Sequence, residues 1–392
     1  MTTGRVEYPQ QINALTSLRY LAAAWVLMFH LKEFTRVDAL IQNPFVMRGY
    51  LGVDFFFVLS GFVLAHVYKR DVDAARFNYW GFISKRLGRI YPMHLFTLGL
   101  FVVLGVFTVL QGMTFDVWDP GEPFKNLDRG QLIRALVAHL TLIHAWGSTP
   151  GLQFNLPSWS ISAEWFAYLM FPVFLLVLRA IRGGPGLKLA LAGGLFFAMA
   201  VGTELAMGLE LTEMSWNIGI LRITPEFFLG VALYNFGEHR TAGRRGAIIG
   251  LWASVAVIVV ALAAAAWTPG AKIIALPLVV FGLSGVVFFA ADGDRYNAFP
   301  PLSQPVFVLL GEISYSVYML HQAVMVVVFG ILLRDFRPTD LATGLATIAG
   351  GLLLTTLLSW ASYKWIELPG RSIIVGAARK LNQPAANPAA GG

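Results

Sequence analysis

The sequence predicts an all-α, polytopic membrane protein. It reads as about ten transmembrane helices plus one re-entrant or interfacial segment at 131–147, with both termini cytoplasmic. Three observations predict this. Of the 392 residues, 57% are hydrophobic and only 13% are charged, against roughly 25% charged in a soluble domain. Apolar runs long enough to cross a bilayer recur from end to end. The basic residues gather in short loops between those runs.

Taken in order, the spans are expected near 15–34, 49–68, 89–110, 158–179, 187–206, 216–236, 247–267, 272–291, 305–333 and 341–366. The first run could pass for a signal peptide. No convincing small-residue cleavage site follows it and Arg19 interrupts its start, so it reads as a retained span. With ten spans and a cytoplasmic N-terminus, the inner loops hold Lys69, Arg70, Arg76, Lys85 and Arg86, then Arg179, Arg182 and Lys188, then Arg240, Arg244 and Arg245. The outer loops hold Asp116, Asp119, Glu122 and Asp128, then Glu210 and Glu213. That partition obeys the positive-inside rule. A full span at 131–147 would reverse every later loop and put the basic ones outside. The chain therefore reads as one membrane domain over 1–370 and a cytoplasmic tail over 371–392, whose Pro/Ala/Gly-rich end from about 381 suits disorder. The net charge of +7 is accounted for by orientation rather than nucleic-acid binding, and the absence of cysteine excludes thiol catalysis and thiolate metal sites.

Arg19 and His30 share one apolar run. Eleven residues at about 100° each return to within about 20° of the start, so both face one side of a helix, roughly 16 Å apart along its axis. Such a pair inside a membrane is costly unless it faces protein, water or a ligand; the ordinary alternative is a snorkelling arginine and an interfacial histidine. Asp54, Glu164 and His321 also fall inside or beside apolar runs. They read either as functional groups or as partners of one another or of Arg222 that hold the bundle together. Glu164 stands among Trp159, Ser160, Ser162 and Trp165, a polar cluster flanked by aromatic rings that suits a polar ligand. Arg86 and Arg89, three apart at the expected start of the third helix, with Lys85 beside them, suit a phosphate-bearing ligand; a cluster touching lipid headgroups is the alternative.

Other signals are weak. His66 and Asp71 match an H-x4-D spacing at a helix end without supporting context. His139 and His144 stand five apart with no carboxylate near in sequence, so no metal site is expected there.

The motifs, taken together, resemble the acyltransferase-3 family of integral membrane proteins over about 15–370. Arg19 and His30 match its Arg-x10-His on the first helix, and GVDFFFVLSGF (52–62) its second-helix signature. RLGRIYP (86–92) resembles its R-x-x-R-I-x-P motif, SWSISAEWFAYLMFP (158–172) its Ser-Trp…Glu segment, and GEISYSVYMLH (311–321) its G-x-x-S-Y-x-x-Y-x-x-H segment, the last carrying Tyr315. The resemblance implies that a cytoplasmic acyl-CoA, acetyl-CoA by default, donates through the protein to a hydroxyl of an extracytoplasmic or membrane-associated carbohydrate or similar acceptor. It implies His30 as general base or transient acyl carrier, Arg19 as donor-positioning or oxyanion-stabilising, Arg86, Arg89 and Lys85 on the CoA phosphates, and Glu164 orienting His30 or binding sugar hydroxyls. Asp54, Trp159, Ser160, Arg222, Tyr315 and His321 are expected to support substrate or structure. Some members carry a fused extracytoplasmic domain; without one, the acceptor is expected to reach the membrane domain directly or through a partner. The expected setting is the bacterial cytoplasmic (inner) membrane. Acyl-CoA, the acceptor and the bilayer are the expected partners, with no metal and no nucleic acid. A proton-coupled secondary transporter using the intramembrane Arg, His, Asp and Glu is the competing reading. Acyl-CoA consumption that depends on His30 separates the two.

Overall fold

A computed structural model describes residues 7–115, 117–268 and 270–381, the side chain of Leu381 excepted. Asp116 and the tail beyond 381, expected to be disordered, lie outside the described residues. Within them the chain is helical, with no strand. The helices are α1 (Asn13–Leu31), the short turns α2 (Asp38–Ile41) and α3 (Pro44–Met47), α4 (Gly52–Asp73), α5 (Tyr79–Leu110), the short α6 (Glu122–Asn126), α7 (Arg129–Leu140), α8 (Trp159–Ala180), α9 (Pro185–Met207), α10 (Gly219–His239), α11 (Gly243–Trp267), α12 (Lys272–Asp294), α13 (Pro305–Met325), α14 (Leu341–Ser362) and α15 (Leu368–Leu381).

Among the described residues, nine helical segments are long and apolar enough to cross a membrane. They match nine of the ten expected spans. The tenth, α10, has 21 residues and is less apolar because it carries Arg222 and Glu226. Both are buried, and α10 packs in the middle of the bundle against α4, α8, α9 and α12.

Two close helix crossings organise that bundle. On α4, a Cβ at Gly61 would land on the carbonyl oxygen of Phe227 in α10. Reciprocally, a Cβ at Gly230 of α10 would land on the carbonyl of Val58. Small residues let membrane helices pack backbone to backbone, which gives Gly61 of the GVDFFFVLSGF stretch its physical reason. Gly311 of α13 does the same against the carbonyl of Thr16 in α1.

Further along that second pair, the rings of His30 and His321 stack. Contacts of Thr16 with Gly311 and of His30 with His321 mean that α1 and α13 run parallel. Between them lie α4, α5, α8, α9, α10, α11 and α12, an odd number of crossings, which returns α13 to the direction of α1. A further crossing at 131–147 would have made the two antiparallel. The helix there, α7, has 12 residues, about 18 Å against roughly 30 Å of hydrocarbon. Asp128 and Gln131 form a capping box at its start. It ends at Leu140, and its outward face carries the exposed Ile133, Val137 and Leu140.

The third span differs from expectation at its start. α5 begins at Tyr79, where the Asn78 side chain accepts from Gly81 N at 2.9 Å, ten residues before the expected boundary. Arg86 and Arg89 are therefore about two and about three turns inside the helix rather than at its mouth. Near the other end of the chain, a π-helical stretch, Tyr363–Glu367, links α14 to α15. The extra backbone residue of such a bulge re-aims side chains, here turning Glu367 inward.

Candidate active site

α1 delivers Arg19 and His30 to two different clusters. The first is a cavity of about 120 Å³ enclosed by α1, α4, α5, α8 and α13. Its polar wall is Arg19, Ser60, Arg86, Arg89, Glu164 and Tyr168, and its apolar wall includes Phe56, Phe57, Leu59, Val63 and Ile161. Glu164 Oε1 accepts from Ser60 Oγ at 2.6 Å and from Tyr168 OH at 2.6 Å. Arg89 Nη1 reaches Glu367 Oε1 at 3.6 Å, and Glu367 Oε2 accepts from Ser316 Oγ at 2.8 Å. Arg86 lies over the rings of Tyr68, Tyr168 and Phe82 at 5.7, 5.9 and 6.0 Å. Arg19 borders the same cavity.

Three guanidinium groups thus gather with two carboxyl groups. Two buried donors, Arg86 Nε and Arg89 Nη2, have no partner. Buried donors are ordinarily satisfied, and a planar guanidinium left so is suited to a carboxylate, phosphate or developing oxyanion.

The second cluster surrounds His30. Its ring stacks on His321 with centroids 5.1 Å apart and meets Trp118 edge-on at 4.7 Å and Phe29 at 4.9 Å. His321 Nδ1 lies 2.6 Å from the carbonyl of Tyr318. A carbonyl only accepts, so Nδ1 carries the proton and Nε2 the lone pair. That Nε2 is buried and unpartnered.

Tyr318 joins the two clusters. Its ring borders the cavity and its carbonyl fixes His321. Its hydroxyl donates to Pro157 O at 3.0 Å and accepts from Ser160 Oγ at 2.8 Å. Phe56, also on the cavity wall, meets the Tyr318 ring edge-on at 6.2 Å.

The other expected site residues separate by role. Asp54 and Arg222 form a fully buried bidentate pair, Arg222 Nε to Asp54 Oδ1 at 3.2 Å and Nη2 to Oδ2 at 2.6 Å, and the guanidinium sits 5.1 Å from the Trp159 ring. Ser160 and Tyr315 line the cavity, and Tyr315 OH donates to Ile90 O at 2.5 Å.

Two expectations need correction. Glu164 does not orient His30, because its hydrogen bonds go to Ser60 and Tyr168 in the cavity. Lys85 does not join Arg86 and Arg89, because one residue is about 100° of helix; it is exposed while the arginines face inward. The sequence reading also missed Ser60, Tyr168 and Glu367. Tyr168 follows Glu164 by four residues, a spacing that shares a helix face. Glu367 carried the signal of an acid at the end of the last apolar run.

His66 and Asp71 form no catalytic pair. His66 Nε2 lies 3.1 Å from Pro9 O, and its ring packs beside Tyr8 and Tyr234. Asp71 faces Arg76 at 3.9 Å, so the H-x4-D spacing builds no dyad. His139 and His144 do meet. The five-residue spacing argued against a shared helix face, but α7 ends at Leu140 and the turns beyond it stack the two rings at 3.8 Å.

Comparison with known proteins agrees with this architecture. Residues 12–364 match the model of a family described as an acyltransferase domain. An "Acyltransferase MdmB" of Streptomyces mycarofaciens is 28% identical over 382 residues, covering 88% of this chain and 90% of its own. An "Exopolysaccharide production protein ExoZ" of Rhizobium meliloti is 26% identical, covering 82% of this chain and 89% of its own. A "Peptidoglycan O-acetyltransferase OatA" of Listeria monocytogenes is 26% identical over 203 residues, 48% of this chain and 28% of its own length. No solved structure matches significantly. A match across nine-tenths of the chain shows that this protein belongs to the acyltransferase-3 family and is a multi-pass membrane O-acyltransferase.

Proposed function

We propose that the protein moves an acyl group, acetyl by default, from cytoplasmic acyl-CoA to a hydroxyl of an extracytoplasmic or membrane-associated carbohydrate or similar acceptor, in the cytoplasmic membrane of a bacterium. The observation that carries this reading is the pair of clusters on one helix, an arginine-lined cavity at Arg19 and an imidazole pair at His30, meeting at Tyr318.

The cavity suits the thioester end of the donor. Arg86 Nε and Arg89 Nη2 supply unpaired donors for a phosphate or carbonyl oxygen, and the apolar wall takes the acyl methyl group. In the direct route His30 removes the acceptor hydroxyl proton as its oxygen attacks the thioester carbonyl. The C–O bond forms, the C–S bond breaks, and the departing thiolate takes from His30 the proton it removed from the acceptor. Arg19, roughly 16 Å along the helix from His30, holds the donor in the cavity. In the carrier route the His30 nitrogen attacks first and CoA leaves as its thiol with the ring N–H proton; the acceptor oxygen then takes the acetyl group as the C–N bond breaks, and its hydroxyl proton returns to the imidazole. In either route positive charge develops on His30, 5.1 Å from an imidazole whose Nε2 lone pair is free. Trp118, edge-on to His30, offers a ring face for a sugar acceptor.

The test is donor sidedness. Membrane vesicles of both orientations, sealed and supplied with labelled acetyl-CoA outside, should transfer label when inside-out and not when right-side-out. Equal transfer in both, or transfer only in right-side-out vesicles, would overturn the cytoplasmic donor.

A further inference from the structure

Outside both clusters, three histidines from two distant parts of the sequence meet in one buried group. His94 comes from the middle of α5, His139 from the last turn of α7, and His144 from the turns that follow. Their exposures are 1%, 2% and 3%, so none faces lipid or water. One ring nitrogen from each lies within 4.8 Å of the other two.

The hydrogen bonds fix how two of these rings are protonated. His94 Nε2 lies 2.8 Å from the carbonyl of His139, and His144 Nε2 lies 3.0 Å from the carbonyl of Ser158. Carbonyl oxygens only accept, so the proton sits on Nε2 in both and the lone pair on Nδ1. Nδ1 of His94, His139 and His144 is in every case buried without a partner. Unsatisfied buried nitrogens are uncommon singly, and here three occur together. A carbonyl that holds one ring N–H while the other nitrogen stays bare is the arrangement that prepares a histidine to ligate a metal.

We propose that His94, His139 and His144 form a binding site for a divalent transition-metal ion, zinc by ligand class, with three imidazole nitrogens as ligands and a fourth position left for water or a small ligand. All three ligands are neutral nitrogen donors, which suits zinc and its neighbours and not magnesium or calcium. The rings lie nearly parallel, His94 on His144 at 5.6 Å and His139 on His144 at 3.8 Å. An ion about 2.0–2.1 Å from each nitrogen would rotate them until the nitrogens stand roughly 3.3 Å apart.

The role follows from what the cluster ties together. Ser158 belongs to the segment that enters α8, two residues before Ser160 on the cavity wall. Asn155 Nδ2 in the same segment donates to Met319 O at 3.0 Å, and Gln322 Oε1 accepts from Leu156 N at 2.7 Å. A metal there would pin α5 and α7 to this segment, and through it to α13, holding one wall of the cavity in place.

The test uses the full chain, purified in detergent without a polyhistidine tag, stripped with a chelator and titrated with Co²⁺ alone, then with Zn²⁺. The expected result is one Co²⁺ per chain with the visible bands of four-coordinate cobalt, displaced by one equivalent of Zn²⁺. His139→Gln should weaken binding by at least about tenfold, while His30→Gln leaves the band unchanged. Absence of stoichiometric binding by the wild type, or equal binding by His139→Gln and His94→Gln, would overturn the site. Should both variants fail to fold, X-ray absorption on the zinc-loaded wild type decides. A shell with three imidazole nitrogens supports the proposal, and an all-oxygen shell contradicts it.

Discussion

Arg19 and His30 sit on one face of one helix and work in separate surroundings. The first is an arginine-lined cavity, the second an imidazole pair. Within the cavity the account assigns donor binding to Arg86 and Arg89. Arg86→Ala combined with Arg89→Ala should raise KM for acetyl-CoA by about tenfold or more, with a smaller effect on kcat, since it removes binding shared by ground and transition states. Steady-state kinetics check this, and an unchanged KM would leave the two arginines as determinants of orientation. The cysteine-free sequence makes a thiol-detecting assay specific, because the purified protein adds no thiol to the CoA released. Asp54 and Arg222 belong to stability instead. Asp54→Ala strands a buried guanidinium and should cost about 3–5 kcal/mol, read as a large drop in unfolding temperature in detergent, while Asp54→Ala with Arg222→Met should recover much of it. At this scale the sequence was informative about which residues matter, because an ionisable group in an apolar run is visible as an anomaly. It was less informative about partners. Glu164 could have faced His30 as readily as Ser60, since the choice depends on how α8 rotates against α4.

At the scale of helices, order and approximate extent were legible because the hydrocarbon thickness sets a length that apolar runs must meet. Departures came where local chemistry overrides hydropathy. Asn78 caps α5 well before its apolar run begins. The π-helical stretch at Tyr363–Glu367 turns Glu367 inward without any compositional sign. The turns after Leu140 bring His144 onto His139, and α5 adds His94 from 45 residues upstream, a meeting that no sequence spacing encodes. The crossings of α4 with α10 and of α1 with α13 depend on glycine. Gly61→Val or Gly230→Val should force α4 and α10 apart and lower the yield of folded, detergent-stable protein, measured by size-exclusion chromatography. Gly186→Ala and Gly202→Ala, where nothing lies near an added Cβ, should leave it unchanged. Equal tolerance at all four positions would contradict the close crossing.

At the scale of the whole molecule, the parallel packing of α1 and α13 and the positive-inside distribution of loops lead to the same count. With ten crossings, a reporter fused after Arg240 should read as cytoplasmic, and an outer-side signal there would overturn the orientation. The inner half of the bundle then holds the arginine cavity and the outer half His30, His321 and Trp118; in the proposed reaction, donor and acceptor approach from opposite sides and meet beside Tyr318. In the proposed reaction, transfer depends on His30. The most direct test is labelled acetyl-CoA supplied to the purified, membrane-reconstituted protein, comparing wild type with His30→Ala at equal insertion. The account predicts CoA release, or label retained on the protein, in the wild type and neither in His30→Ala. Wild-type-like turnover in the variant would contradict it.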